Sequence, residues 1–189
     1  MSSAKKKPNQ VVYQLKITLK QIRPPIWRRV QLLGSTSLPQ LHEIIQIVMD
    51  WGNYHLHQFT IGGIDYGVED PDFPTGLRSE NNVLLADFCS SEKSKFSYTY
   101  DFGDSWEHEI LVEKLLTPEL KTNYPVCIKG KRACPPEDCG GVWGYEDFLE
   151  AIGDPNHEEH ESFKEWIGGD FDSELFNLEE ANQRLEQLK

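Results

Sequence analysis

Alternating apolar and polar positions near the start of the chain predict a β-hairpin. Over residues 11–20 every second position is apolar, from Val11 to Leu19, and most positions between them are polar. This period of two is typical of a strand with one buried face. A proline pair at residues 24–25 turns the chain, and residues 26–33 then read as a second strand.

A helix is predicted to begin directly after this pair of strands. Ser37 stands three residues before Gln40, which is the spacing of a capping box, and Pro39 is tolerated in a first helical turn. Apolar residues over 38–48 recur at helical spacing, so they form one stripe that can pack against a sheet. We expect the helix to end near residues 51–52, where a tryptophan is followed by a glycine.

The remaining pattern changes from strands to helices along the chain. Further strands are predicted at residues 55–61, 96–101, 106–114 and 124–128, with a tight turn at residues 102–105. Residues 83–88 are expected to form a short helix or turn, and helices are predicted at residues 145–152, 158–167 and 178–188. Residues 66–82 are rich in Asp, Pro and Gly, which predicts a long surface loop and a candidate lid.

This order of elements predicts an α+β fold. We expect a mainly antiparallel sheet from the N-terminal two thirds, with one early helix, followed by the C-terminal helices. We expect residues 1–10 to be a disordered polar tail and residues 11–189 to form a single domain.

The charge is unevenly distributed. The chain has 19 basic and 31 acidic residues, for a net charge of −12; residues 1–42 hold eight basic residues and no acid, so the remainder carries −20. The total disfavours a broad nucleic-acid-binding face. Two interpretations of the basic start stay open: a disordered tail with solvated strand positions, or a local patch that contacts nucleic acid. The candidate residues for such a patch are Lys16, Lys20, Arg23, Arg28 and Arg29.

The sequence predicts a cytoplasmic protein. No apolar run approaches the roughly 20 residues needed to cross a membrane, so no membrane association is expected. The start is polar and bears lysines without an apolar segment after it, unlike a signal peptide. In a reducing compartment the cysteines are expected to be free thiols or metal ligands rather than disulfides.

Two stretches carry candidate histidines. His55 and His57 are two positions apart, so in a strand they would share one face and could ligate a metal ion, or else hydrogen-bond to the backbone. Alternation places Trp106 and His108 on the core face of a later strand, where the imidazole needs a partner. We consider Asp101 or Asp104, which lie just before that strand, as that partner. Such a pair suits a general base and suits a structural turn equally well.

A cysteine-rich loop is the third candidate. Cys134 and Cys139 are separated by four residues, and Cys127 lies seven positions upstream. Together with a histidine such as His57 or His108 they could bind zinc as thiolates. The alternative is a rigid, proline-containing loop with buried free thiols.

Five segments together resemble a known family. They are residues 13–29, residues 55–59, residues 98–108, residues 134–141 and residues 165–172, in this order. In these segments the chain is similar to the plasmid pRiA third-open-reading-frame family, whose members are also labelled transposon-passenger proteins of a TnpR type. The resemblance implies a compact α+β domain linked by name to plasmids and insertion elements. It carries no catalytic residue over to this chain.

The leading hypothesis from the sequence is a non-enzymatic binding or accessory module with a polar-aromatic pocket. The candidate pocket residues are Trp27, His55, His57, Tyr100, Asp101, Asp104, Trp106 and His108. One alternative is a metal-dependent hydrolase that acts on nucleic acid through the histidines and aspartates. Another is a DNA-contacting accessory protein that uses the basic segment.

Overall fold

The computed structural model of the chain describes residues 10–68 and 76–188. Almost all of the tail expected over residues 1–10, and the middle of the expected lid over residues 66–82, lie outside the described residues.

Within the described residues, eight strands form one sheet in the order β5-β4-β3-β6-β7-β1-β2-β8. All pairs of neighbouring strands are antiparallel except β4 and β5. The strands are β1 Val12–Leu19, β2 Trp27–Leu33, β3 His57–Ile61, β4 Ile64–Gly67, β5 Arg78–Ser79, β6 Lys95–Tyr100, β7 Trp106–Leu116 and β8 Val126–Lys131. The sheet confirms the α+β class with a mainly antiparallel sheet.

The first helix covers one face of this sheet. Helix α1, Leu38–Met49, begins at Ser37, whose hydroxyl accepts a hydrogen bond from the Gln40 amide while the Gln40 side chain accepts one from the Ser37 amide. The capping box read from the sequence is therefore confirmed. The buried stripe of α1 packs on the alternate side chains of the strands, such as Leu15 and Ile110, which are completely buried.

This cap leads to a stability prediction. We expect Ser37→Ala to lower the free energy of unfolding by about 1 kcal/mol, because the Gln40 amide loses its acceptor at the helix start. Urea denaturation measures the change, with Ser90→Ala at an exposed loop position as the control. Equal effects of the two substitutions would show that the cap does not contribute to stability.

Four further helices lie in the described part of the chain. They are α2 Leu85–Phe88, α3 Gly141–Gly153, α4 His160–Ile167 and α5 Leu178–Leu185. Helix α5 covers the free edge of the sheet, since the Asn182 side chain both accepts from the Cys127 amide and donates to the Cys127 carbonyl of β8. Phe148 of α3 is fully buried and contacts the rings of Phe163, Trp166 and Phe171, so α3 and α4 share a small aromatic core. None of the helices in the described residues is long and apolar enough to cross a membrane.

Two differences between the structure and the expected elements concern the predicted loop and helix α3. The segment predicted as a loop contains the end of β4, which forms a tight hairpin with β3, and the short strand β5, which pairs in parallel with β4. Helix α3 begins at Gly141 rather than near residue 145, because the glycine-rich sequence that indicated a loop forms the first turn. Gly144 is needed there, since a Cβ atom at this position would lie 1.9 Å from the Cys139 carbonyl oxygen.

Candidate functional site

Three loops meet beside the start of β3 and the end of β6. The first, residues 52–56, precedes β3; the second, residues 101–105, joins β6 to β7; the third is the cysteine loop, residues 134–141. The Asp101 amide donates to the Leu56 carbonyl, and the Gly140 amide donates to an Asp104 carboxylate oxygen 3.2 Å away. These bonds tie the three loops together.

The centre of this junction is formed by His55, Asp101 and Asp138. One candidate ligand atom from each residue lies within 4.8 Å of the other two. The Nε2 atom of His55 is 3.1 Å from an Asp138 oxygen and 3.7 Å from an Asp101 oxygen. Nevertheless this nitrogen, although shielded from solvent, makes no hydrogen bond of acceptable geometry. The three side chains therefore converge, but the His55 ring is not oriented to hydrogen-bond with either carboxylate through Nε2.

The turn after β6 orients Asp101. Its backbone has a positive φ of 56°, and its Oδ1 atom accepts a hydrogen bond from the Gly103 amide. The carboxylate is therefore held by one oxygen, which is a common role of aspartate in turns. The second oxygen is the one that faces His55.

Tyr100 and Glu137 clamp the two outer loops. The Tyr100 hydroxyl accepts hydrogen bonds from the amides of Tyr54 and His55 and donates one to Glu137. The other Glu137 oxygen accepts from the Gly52 amide at 2.7 Å. Burial, and then the bond to Glu137, raises the pKa of Tyr100, so the hydroxyl stays protonated and keeps donating. These bonds hold the backbone of Tyr54 and His55 and the side chain of Glu137. They therefore position His55 and also Asp138, which follows Glu137 in the sequence.

His57 does not join His55. Strand β3 begins at His57, and His55 lies in a bend before it, so the period of two that would align them does not apply. Instead, the Nε2 atom of His57 lies 2.9 Å from a buried Glu80 carboxylate oxygen. The ring of His42 from α1 stacks on His57 with 3.5 Å between centroids. The shared face expected for the two histidines is therefore not formed.

His42 is held neutral by its surroundings. Its Nε2 atom lies 2.8 Å from the Asn53 side-chain oxygen and must carry the proton, so its Nδ1 accepts from the Tyr98 hydroxyl. The Tyr98 hydroxyl in turn accepts a hydrogen bond from the side-chain Nε2 of Gln46. Burial, and then the positive field of His57, lowers the pKa of His42 to about 4.

His108 and Trp106 lie in the core, as alternation predicted, but the expected carboxylate partner is absent. The Nδ1 atom of His108 lies 3.3 Å from the backbone carbonyl of Tyr98, and no pair between His108 and Asp101 or Asp104 exists among the described residues. Complete burial lowers the pKa of His108 to about 4. The completely buried imidazole therefore stays neutral at neutral pH.

The three candidate cysteines have different surroundings. The thiol of Cys127 faces the Lys129 carbonyl, that of Cys139 faces the Gly141 carbonyl, and that of Cys134 is 3.2 Å from the Met49 sulfur. Burial raises the pKa of these thiols to about 11 for Cys127 and Cys134 and to about 12 for Cys139. Within residues 10–68 and 76–188, the metal-type cluster found is His55, Asp101 and Asp138, and it includes neither these cysteines nor His57.

Trp27 and the basic residues lie elsewhere. Trp27 is on the face of the sheet that α1 leaves open, under the cationic groups of Lys16 and Arg29, so it lines no common pocket with His55. Arg28 points into the core and is only 1% exposed. The reason is the alternation in β2, in which Arg28 shares its face with two buried apolar residues.

Two of the other basic groups are neutralised on this open face. Arg29 forms two hydrogen bonds to Glu113, and Lys20 is 2.6 Å from a Glu107 oxygen. Arg23 is exposed in the turn before β2. Of the candidate basic residues, Arg28 is therefore withdrawn from the surface, and Arg29 and Lys20 each have an acidic neighbour on the open face.

The comparisons with known proteins cover most of the chain. A family model described as plasmid pRiA4b ORF-3-like protein matches residues 11–180. The chain belongs to this family. The pRiA4b ORF-3-like domain is 38% identical over 179 residues to "Uncharacterized protein y4hQ" of Sinorhizobium fredii, with 94% of this chain and 92% of the relative covered.

A solved structure is similar to this chain over nearly its whole length. A crystal structure of a protein of unknown function, MM3350 from Methanosarcina mazei Go1, has a TM-score of 0.81 and 42% identity to this pRiA4b ORF-3-like domain, covering 93% of this chain and 98% of that one. The family described by sequence resemblance is confirmed. The family description and these two names carry no transposon-passenger label.

Sequence reasoning missed several residues in and around the junction. Glu80 and His42, which contact His57 outside the junction, have partners 23 and 56 positions away in the chain, so no local pattern indicates them. Asp138 and Glu137 lie inside the cysteine loop, where the spacing of the cysteines indicates a thiolate site rather than a carboxylate site. The available signal was the acidic pair itself, in a loop stiffened by prolines.

Proposed function

We propose that this pRiA4b ORF-3-like domain is a binding module that holds a divalent metal ion with His55, Asp101 and Asp138. The observation that carries the proposal is the Nε2 atom of His55, which is shielded, lacks a hydrogen bond and lies beside two carboxylates. Shielding a polar nitrogen from water without a hydrogen-bond partner lowers the stability of the fold, unless a bound ligand contacts that nitrogen.

The geometry suits an ion with nitrogen and oxygen ligands. Ligand atoms at about 2.1 Å from a common zinc ion lie no more than roughly 4.2 Å apart. The three candidate atoms lie within 4.8 Å of one another, so a shift of less than an ångström would complete the site. One imidazole and two carboxylates favour borderline ions such as Zn²⁺ or Mn²⁺.

Three protein ligands leave coordination positions open. Asp138 has a side chain that is 68% exposed, whereas the Asp101 side chain is 10% exposed, so the open positions lie on the Asp138 side. Two large apolar side chains next to the ligands in sequence, Tyr54 and Phe102, are exposed as well. This arrangement supports recognition of a ligand that combines a metal-binding group with a flat apolar part.

The test is metal binding by calorimetry. We expect the wild-type chain to bind one Zn²⁺ or Mn²⁺ ion, and His55→Ala to weaken binding by at least tenfold because one of three ligands is lost. The matched control is His157→Ala, a histidine in the segment before α4 that is not part of the cluster. Absence of binding by the wild type, or equal binding by His55→Ala, would reject the site.

The same open positions support a second candidate, a metal-dependent hydrolase. An ion with three protein ligands can activate a bound water molecule. Hydrolysis of bis(4-nitrophenyl) phosphate by the metal-loaded protein, lost in both His55→Ala and Asp138→Asn, would favour this candidate. If the protein binds the metal ion but does not hydrolyse this ester, the result favours the binding module over the hydrolase.

A further inference from the structure

A cleft in the described part of the chain borders the cysteine loop, and His55 is not among its lining residues. It has a volume of about 540 Å³ and is bounded by the end of α1, the cysteine loop and the chain from α4 to α5. Its apolar wall includes Trp166, Phe171, Leu175 and Phe176. The volume is in the range of small-molecule sites.

Arg28 forms part of the lining of this cleft although its side chain is almost completely buried. Its Nε atom donates to the Val48 carbonyl, and Nη1 donates to the carbonyls of Trp27 and Lys131. Phe176 lies over the guanidinium plane at 3.9 Å. Gly130 leaves room for this stack, because a Cβ atom there would lie 2.4 Å from the Phe176 ring.

One edge of the guanidinium is left under-satisfied. Its Nη2 atom carries two N–H groups, and the partner it has among the described residues is the sulfur of Cys134 at 3.3 Å, a weak acceptor. No carboxylate of the described chain lies within ion-pair distance of Arg28. Burial keeps the Cys134 thiol protonated, with a pKa of about 11, so it does not supply a counter-charge. A buried cation without an anion is costly.

The rest of the cleft is acidic. Asp50, Glu137, Asp170, Asp172 and Glu180 line it, against one further base, Arg184. Asp50 pairs with Arg184, and Asp170 pairs with Lys164. Because the acids outnumber the bases, the cleft repels a ligand with several negative charges. A ligand with one carboxylate and one ammonium group is favoured, since the carboxylate can contact Arg28 and the ammonium group can contact the acids.

We infer that this cleft binds a free apolar α-amino acid, with its carboxylate on the Nη2 edge of Arg28, its ammonium group towards Asp50 and Glu180, and its side chain against Trp166 and Leu175. The planar edge of arginine matches a carboxylate. The site is separate from the metal cluster and does not depend on the metal.

The proposal is tested with three related compounds and the full-length chain. Calorimetry or saturation-transfer NMR compares L-phenylalanine with 3-phenylpropionate, which lacks the ammonium group, and with phenethylamine, which lacks the carboxylate. We expect L-phenylalanine to bind at least tenfold more tightly than either. No saturable binding of L-phenylalanine, or equal binding of phenethylamine or 3-phenylpropionate, overturns the inference.

Two variants separate recognition from folding. Arg28→Lys keeps the charge but removes the planar edge, and we expect it to lose the preference for a carboxylate. Since this core substitution can also impair folding, Leu175→Glu provides an independent test: Leu175 is 60% exposed, and a glutamate there adds a negative charge within the cleft. We expect at least tenfold weaker binding. The matched control is Leu120→Glu at a fully exposed leucine outside the cleft, and equal effects of the two leucine variants would contradict the site.

Discussion

Below pH 6.5 the protein is expected to lose stability steeply, because His42 and His108 are buried as neutral imidazoles. Their pKa values are lowered from 6.5 to about 4 in the folded chain, in both cases chiefly by burial. The unfolded chain takes up the two protons near pH 6.5, whereas the folded chain takes them up only near pH 4. The stabilisation is therefore complete above pH 6.5 and is lost as the pH falls towards 4. Each histidine contributes about 3 kcal/mol over this interval.

The neighbours of both rings explain why protonation is opposed. His42 faces His57 in the stack, the Tyr98 hydroxyl and the Asn53 oxygen, and a second proton would remove the acceptor that the Tyr98 hydroxyl uses. His108 faces the Tyr98 carbonyl and the Trp51 ring, and the positive field of Arg28 also opposes its protonation. Neither ring has a carboxylate partner among the described residues.

Urea denaturation between pH 7 and pH 4 measures this dependence, and NMR titration of the histidine ring signals assigns it. We expect two of the six histidines to stay neutral until about pH 4. Loss of the Glu113 interaction with Arg29 is a separate event, since the pKa of Glu113 is lowered by that hydrogen bond and its effect appears at more acidic pH. A stability that is constant from pH 6.5 to pH 5 would show that these rings are not buried as described.

Removal of Glu80 is expected to cost about 3 kcal/mol of unfolding free energy, because Glu80→Ala leaves His57 buried without its partner. The two side chains are only 5% and 7% exposed, and His57 is stacked on His42 with no solvent to replace the carboxylate. Glu80 also directly follows β5, and its amide donates to the Gly67 carbonyl of β4. We therefore expect the loss of the side chain to loosen the pairing of β4 and β5 as well.

Urea denaturation of Glu80→Ala and of the matched surface variant Glu107→Ala tests this expectation. Glu107 pairs with Lys20, but both side chains are more than 40% exposed, so we expect a change below about 1 kcal/mol. A double-mutant cycle with His57→Ala isolates the pair energy. If Glu80→Ala and Glu107→Ala have equal effects, the buried pair does not stabilise the fold.

The candidate site shows why the sequence predicted only part of it. His55, Tyr100 and Asp101 were named from motifs, and the structure brings them together. Their partners Glu137 and Asp138 are about 37 positions or more away in the chain, and no local pattern encodes a contact at that distance. His57 was paired with the wrong neighbour, because a strand that starts two residues later changes which side chains share a face.

The sequence by itself determined the family, the α+β class, the first two strands and the capped helix α1. These features depend on local alternation, helical spacing and capping chemistry, which act over a few residues. Only the tertiary structure decided that the buried Arg28 donates to the backbone carbonyls of Val48 and Lys131, that Trp27 faces away from the histidines and that three loops meet at His55. The physical reason is that burial and charge pairing depend on which distant segments pack together, and the pairing of eight strands in the described chain sets that packing.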